Sequence, residues 1–255
     1  MSVFILKIIA MITMVVDHLG GPFFNNNMVM RCVGRFAFVI YAFLLAEGFR
    51  HIRSSANRVE THLSKLVVLA FVSEFCYDLL EEGFNIGRYM SSQNNIITLL
   101  LAFMGLLAIE HWKKKPTAVV CAVALTSFCT YAMSSNYKIA GVLLVYAFYA
   151  YLNYVTDDSG RPRFSYLKRL GLLLGIMAVY IPIYHWARVS FALGSQYGEA
   201  FIKYLPWYLT HIPIAALLAF YTGEVGYRKR WFGNFYSWFY PGHLLLLGII
   251  QLLAK

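Results

Sequence analysis

A chain of 255 residues that is 60% hydrophobic and only 13% charged has more apolar side chain than one soluble core can enclose. That balance excludes an ordinary soluble domain. The net charge of +10 raises nucleic acid as a partner, but the cations gather in short joins on one side of the apolar segments, which argues against nucleic acid and for membrane topology.

Apolar stretches recur from end to end, the pattern of an all-α polytopic transmembrane helix bundle forming one domain over residues 1–255. The first span is predicted over Val3 to Leu19. It lacks a basic region ahead of the apolar run and carries Asp17 and His18 where a cleavage site would need small residues, so it reads as a retained helix. Further spans are predicted over Val33 to Phe49, Leu66 to Leu80, Ile96 to Ile109, Thr117 to Met133, Ile139 to Tyr154, Leu167 to Trp186, Leu205 to Tyr221 and Trp238 to Ala254, about nine in all. The longest polar joins, Asp157 to Arg163 and Gly194 to Glu199, contain Gly and Ser and read as loops.

With these spans, most of the 22 Lys and Arg residues fall on one side: Lys7, Arg50, Arg53, Arg58, Lys65, Lys113 to Lys115, Arg161, Arg163, Lys168, Arg169 and Arg228 to Arg230. Arg31, Arg88, Lys138, Arg188, Lys203 and Lys255 fall on the other. The positive-inside rule then predicts a cytoplasmic amino terminus and an outer carboxyl terminus. Cys32, Cys76, Cys121 and Cys129 show no C-x-x-C spacing and read as small hydrophobes, with Cys32 and Cys76 near enough to one face to leave a disulfide open.

An acid or imidazole inside a span costs at least ~2.5 kcal/mol for the carboxylate and is rarely left facing lipid. Asp17 and His18 end the first helix near the outer face, and Arg35 begins the second on that face. The third helix rises to it with Ser73, Glu74 and Asp78, and the fourth leaves it through Gln93, Asn94, Asn95 and Thr98. Adjacent helical residues do not face each other, so Asp17 is expected to pair with Arg35 and His18 to find its partner elsewhere, with Glu74 the candidate. Glu74 and Asp78, four apart, share a helix face and could hold an acceptor's ammonium group. If the last helix starts at Trp238, His243 lies shallower than His18, which argues against one metal site. His185 and His211, near Pro182 and Pro213, read as structural. No H-E-x-x-H, G-x-S-x-G, P-loop or G-x-G-x-x-G is present, and no metal is expected.

These residues fall in segments that resemble the TraX family, membrane acetyltransferases known for acetylating the amino terminus of F-type pilin. The segments are Leu6-Lys7-Ile8-Ile9-Ala10 leading to Met14-Val15-Val16-Asp17-His18, then Gly34-Arg35-Phe36-Ala37-Phe38. They continue with Asn95-Ile96, with Tyr137-Lys138-Ile139-Ala140-Gly141-Val142-Leu143-Leu144, and with Phe239-Tyr240-Pro241-Gly242-His243-Leu244. The family is also similar to the wider group of transmembrane acyltransferases, in which an outer-facing histidine acts on an acyl group delivered by a cytoplasmic acyl-CoA.

The resemblance implies acetyl-CoA as co-substrate, without a metal, in the cytoplasmic membrane of a bacterium. The acceptor would be a pilin-like protein amine, or a glycan or lipid hydroxyl. His18 would be the general base, with Asp17 holding Arg35, and with Arg35 and Asn95 orienting groups or steadying the thioester oxyanion. Lys113, Lys114, Lys115, Arg161, Arg163, Arg228, Lys229 and Arg230 would bind the phosphates of the donor, and its arm would pass Tyr240 and His243. Read without the resemblance, Asp17, His18, Glu74 and Asp78 could instead form the proton relay of a transporter or lipid flippase, though paired broken helices in two halves are missing.

Overall fold

A computed structural model describes residues 1–82, 93–157, 159–189 and 195–253 of the chain. Arg88 and Lys255, two of the cations predicted for the outer side, lie outside the described residues. Among the described residues ten helices follow one another: α1 (Val3–Gly20), α2 (Met28–Ile52), α3 (Ala56–Glu82), α4 (Asn95–His111), α5 (Pro116–Ala132), α6 (Lys138–Val155), α7 (Tyr166–Arg188), α8 (Ser195–Leu209), α9 (His211–Ala219) and α10 (Arg230–Leu253). Among the described residues, backbone pairing outside helices and turns comes to two isolated bridges, Gln93 with Ser135 and Thr156 with Pro162. The protein is all-α, as its apolar periodicity predicts. Helices α1, α2, α6 and α7 are long and apolar enough to cross a membrane, and α4 and α5 are shorter apolar helices. A helix satisfies its own backbone groups, which lipid cannot do.

Four expectations from sequence change. Helix α10 starts at Arg230 rather than Trp238, and α3 at Ala56 rather than Leu66. Hydropathy marks only the lipid-facing part of a helix, whereas the hydrogen-bonded rod continues into the polar interface. The span predicted over Leu205 to Tyr221 is two helices, α8 and α9, parted at Thr210. Pro213 falls in the first turn of α9, where its missing N–H costs no helical hydrogen bond, so the chain can start a new helix there. The Thr210 hydroxyl donates to the Trp207 carbonyl (2.6 Å), and His211 Nδ1 donates to the carbonyls of Trp207 (3.2 Å) and Tyr208 (3.0 Å). The described part of Gly194 to Glu199 is the first turn of α8, not a loop. That helix lays Tyr197, Phe201 and Tyr208 against His185. The Asp157 to Arg163 join is a loop among its described residues, held by a hydrogen bond from the Arg161 N–H to the Asp157 carboxylate (2.8 Å). All four cysteines are free thiols.

Helix α2 is the hub and packs against α1, α3, α4, α6, α8 and α9. Its fully buried Val39, Ile40, Ala42, Phe43 and Ala46 meet Ala102 and Phe103 of α4 and Val142, Val145 and Phe148 of α6. In lipid, helices are drawn together by close packing more than by the hydrophobic effect, and the small side chains on α2 permit it. Val68, Phe71, Val72 and Phe75 of α3 are exposed at helical spacing, a stripe suited to acyl chains. Helix α10 packs along α3 and touches α1.

The start of α1 is fastened to the segment that leads into α10. The N–H groups of Val3 and Phe4, which a helix start leaves unpaired, donate to the carbonyls of Glu224 (2.8 Å) and Val225 (3.1 Å). Phe4 also packs on Tyr227 and Phe232. Arg228, Lys229 and Arg230 are thereby brought to the end of the bundle where α1 begins.

Candidate functional site

A cavity of about 520 Å³ runs between α1, α2, α3, α4 and α10. At one end it is lined by Asp17, His18, Asn95 and Tyr240, and at the other by Lys7, His62, Lys65, Arg228, Lys229 and Arg230. Leu44, Leu45, Leu66 and Leu69 line the stretch between. Lys7 and His18 are eleven residues apart on α1, so the cavity follows roughly 16 Å of helix.

The end that holds His18 is built on the expected ion pair. Arg35 Nη2 donates to both Asp17 carboxylate oxygens (3.0 and 3.1 Å), its Nε to the Arg31 carbonyl (3.1 Å) and its Nη1 to the Tyr137 hydroxyl (3.4 Å). Gly34 makes the approach possible, because a Cβ there would fall 2.2 Å from the Asp17 Cβ. Arg31, placed by sequence among the outer cations, is a second partner of Asp17, with Nη1 3.1 Å from Oδ1 and 3.1 Å from the main-chain oxygen. The Trp207 ring lies 4.9 Å from the Arg35 guanidinium and 4.4 Å from that of Arg188. Arg31 and Trp207 are site residues that sequence reasoning missed. Paired acid and base across a helix hairpin was a usable signal for Arg31; for Trp207 there was none.

His18 is buried, and its Nδ1 has no hydrogen-bond partner. Its neighbours are aromatic: the His243 ring centroid is 5.1 Å away at 78°, and that of Tyr240 6.3 Å away at 82°. The expectation that the two histidines differ in depth is overturned. From the true start of α10 at Arg230, His243 is ~20 Å along its helix, against ~22 Å for His18 from Val3. His243 Nδ1 donates to the Phe239 carbonyl (2.8 Å), and its Nε2 is buried without a partner. It backs onto His18 and is not part of the cavity lining. Among the described residues no group of three or more His, Cys, Asp or Glu could hold a metal.

The expected pairing of Glu74 with His18 is also corrected. Glu74 Oε2 accepts from the Asn94 N–H (3.0 Å) and the Asn94 side-chain amide (2.5 Å), while Asn94 Oδ1 caps α4 through the Ile96 N–H (2.7 Å). The carboxylate is drawn to the unpaired donors at the start of α4. Its other oxygen is buried without a partner. Asp78 is buried one turn further along α3. Asn95, the first residue of α4, lines the cavity, and its Oδ1 has no partner.

The phosphate-binding cations proposed from sequence divide into two sets. Arg228, Lys229 and Arg230 line the cavity. Lys113, Lys114, Lys115, Arg161 and Arg163 do not, and lie in the turn after α4 and the loop after α6. Lys113 pairs instead with Glu110 (2.7 Å), which also meets Arg53 (3.3 Å) and accepts from the Tyr149 hydroxyl (2.7 Å). Sequence reasoning overlooked Glu47, a buried acid lining the cavity, whose Oε1 accepts from the Tyr221 hydroxyl (2.8 Å) and lies 2.7 Å from His51 Nε2. A lone acid inside a predicted span was the available signal. His185 and His211, read from sequence as structural, are buried and hydrogen-bonded inside the bundle: His185 Nδ1 accepts from the Tyr208 hydroxyl (2.6 Å) and its Nε2 donates to the Tyr197 carbonyl (3.0 Å).

Fold and site together define a polytopic helical membrane protein with an elongated internal cavity, cationic at one end and holding an ion-paired acid, a buried imidazole and an amide at the other. The model of the TraX protein family matches residues 2–251, and the chain belongs to that family. It is 26% identical to the probable fimbrial assembly protein FimC, serogroup H1, of Dichelobacter nodosus, over 264 aligned positions covering 96% of this chain and 94% of the relative. No solved structure matches.

Proposed function

We propose that the protein moves an acetyl group from acetyl-CoA to an amine, of the pilin amino-terminal kind, or to a hydroxyl of an acceptor at the outer leaflet. Family membership and a relative named for fimbrial assembly support the pilin-like acceptor. The observation that carries the chemistry is the single cavity joining Arg228 to Arg230 with His18. Its volume is within the ~300–1,000 Å³ of small-molecule sites, and its cationic, apolar and polar zones suit in turn the phosphates, arm and thioester of acetyl-CoA. The positive-inside rule sets the cationic end in the cytoplasm, where acetyl-CoA is made.

In this reading the acceptor nitrogen attacks the thioester carbonyl. A C–N bond forms, the C–S bond breaks, and His18 takes the amine proton and returns it to the leaving thiolate, giving the amide and free CoA. The buried His18 Nδ1, which has no hydrogen-bond partner, is the atom assigned to take that proton. The Asn95 side-chain amide is the donor for the carbonyl oxygen as it gains charge. Arg35, with its guanidinium engaged by Asp17, the Arg31 carbonyl and Tyr137, is a positioning residue that holds the end of α1 and so the direction of His18. His243 backs the His18 ring.

The test is transfer itself. Purified protein in phosphatidylcholine nanodiscs is supplied with labelled acetyl-CoA and an acceptor peptide carrying a pilin-like free amino terminus. Label on the peptide amine, read by mass spectrometry, is the expected result. Solute movement driven by pH, with no binding of acetyl-CoA, would replace this reading with transport.

A further inference from the structure

The cationic end of the cavity has two layers, and sequence reasoning had found only the outer one. Arg228, Lys229 and Arg230 are exposed, on the segment entering α10. Lys7 of α1 and His62 and Lys65 of α3 line the same cavity but are half-buried. The Lys7 ammonium sits 4.6 Å from the ring of Tyr236, six residues or ~9 Å along α10 from Arg230. Just beyond this inner layer the lining turns apolar at Leu44, Leu66 and Leu69. Glu47 is the acid lining this half of the cavity, and its Oε1 is engaged by Tyr221 and His51.

We propose that the two layers are separate phosphate subsites. Lys7, His62 and Lys65 take the diphosphate that adjoins the apolar arm of a nucleotide-linked acyl carrier, and Arg228 to Arg230 take a phosphate further out, on its ribose. The order follows from the chemistry of such a carrier. Its diphosphate must lie next to the arm, so it meets the half-buried cations, where water is scarce and a charge-assisted hydrogen bond is strong. The ribose phosphate is the more distant group and meets the exposed turn, where solvent screens each contact. Lys offers three donors, and a His ring offers an N–H in either tautomer, so the inner layer can satisfy several oxygens at once. Naming the carrier as acetyl-CoA rests on the proposed function. A lipid headgroup phosphate presents the same chemistry to the inner layer.

The experiment measures binding to the full chain in phosphatidylcholine nanodiscs for three donors: acetyl-CoA, 3′-dephospho-acetyl-CoA and acetylpantetheine. In the wild type, affinity should fall at each loss of phosphate. Lys7→Met and Lys65→Met should bring the 3′-dephospho donor toward acetylpantetheine by roughly tenfold or more, the worth of one charge-assisted contact. Arg228→Gln with Arg230→Gln should instead bring acetyl-CoA toward its 3′-dephospho form. Lys7→Arg, which keeps the charge, should preserve most of the diphosphate preference, and thermal unfolding verifies that each variant is folded. Folded variants with unchanged donor ratios, or with both ratios shifted equally by either layer, overturn the two-subsite proposal. A parallel arm replaces part of the phosphatidylcholine with phosphatidic acid and omits the donors. Lys7- and Lys65-dependent enrichment of phosphatidic acid, in a protein that binds none of the three donors, would uphold the inner phosphate subsite while removing the acetyl-CoA reading. Failure to bind any of these phosphates overturns both.

Discussion

The two ends of the cavity are built on opposite principles. At the His18 end the charges are paired around a buried guanidinium: Asp17 lies between Arg31 and Arg35, Trp207 covers Arg35, and Gly34 lets the helices close on the pair. At the other end the cations of residues 228–230 are exposed on a segment anchored by backbone hydrogen bonds to α1. Buried charges must be matched in position, because an uncompensated one costs about 3–5 kcal/mol. Exposed cations need only be near their ligand, since solvent tolerates their displacement. One end therefore fixes geometry, and the other supplies attraction.

The sharpest way to break that contrast is His18→Ala. With the proton acceptor removed, acetyl transfer should fall roughly 10²–10⁴-fold while acetyl-CoA still binds. Single-turnover kinetics beside a donor titration check it, and full activity in a folded variant would remove His18 from the chemistry. Next comes Gly34→Ala. The added methyl meets the Asp17 side chain and should force the α1–α2 hairpin apart, at about 1–3 kcal/mol of stability. A lowered unfolding temperature in nanodiscs, with activity lost alongside, is the expected pair of observations.

A middle-sized effect is expected from Gly48→Leu. Gly48 lines the cavity, and a Cβ there meets no atom within 4 Å, so the new side chain enters the cavity instead of disturbing the packing. Unfolding should stay near that of the wild type, while donor affinity drops roughly tenfold, ~1.4 kcal/mol. Normal affinity would mean the donor takes another route.

The smallest effect belongs to the loop after α6, whose described residues do not line the cavity. There the Ser159 hydroxyl and then the Arg161 N–H hold the Asp157 carboxyl below its ordinary value. A depressed folded value means the loop gains from the charged form above the ordinary pKa of about 4 and loses that gain as pH falls through the depressed value. The protection of residues 159–163 against hydrogen exchange, relative to unstructured peptide at the same pH, should fall on acidification below about pH 4, and Asp157→Asn should flatten that dependence. Donor binding by Asp157→Asn at neutral pH should match the wild type.

Sequence alone determined the class of the fold and the main ion pair. Apolar runs of span length admit little but helices in lipid, and Asp17 and Arg35, each costly alone, had to meet because they face each other across one short turn. The membership of His18 and Asn95 in one layer was legible for the same reason, since depth follows from counting residues along a rod. Tertiary structure decided what counting could not. Where α10 truly begins set His243 beside His18, and the helix cap at Asn94 claimed Glu74. The anchoring of residues 224–225 to α1 brought Arg228 to Arg230, and not Lys113 to Lys115, into the cavity lining beside Lys7 and Lys65. Each of those outcomes depends on which helix lies next to which and on how each is rotated. Hydropathy carries no such information, because a lipid-facing side and a helix-facing side are equally apolar.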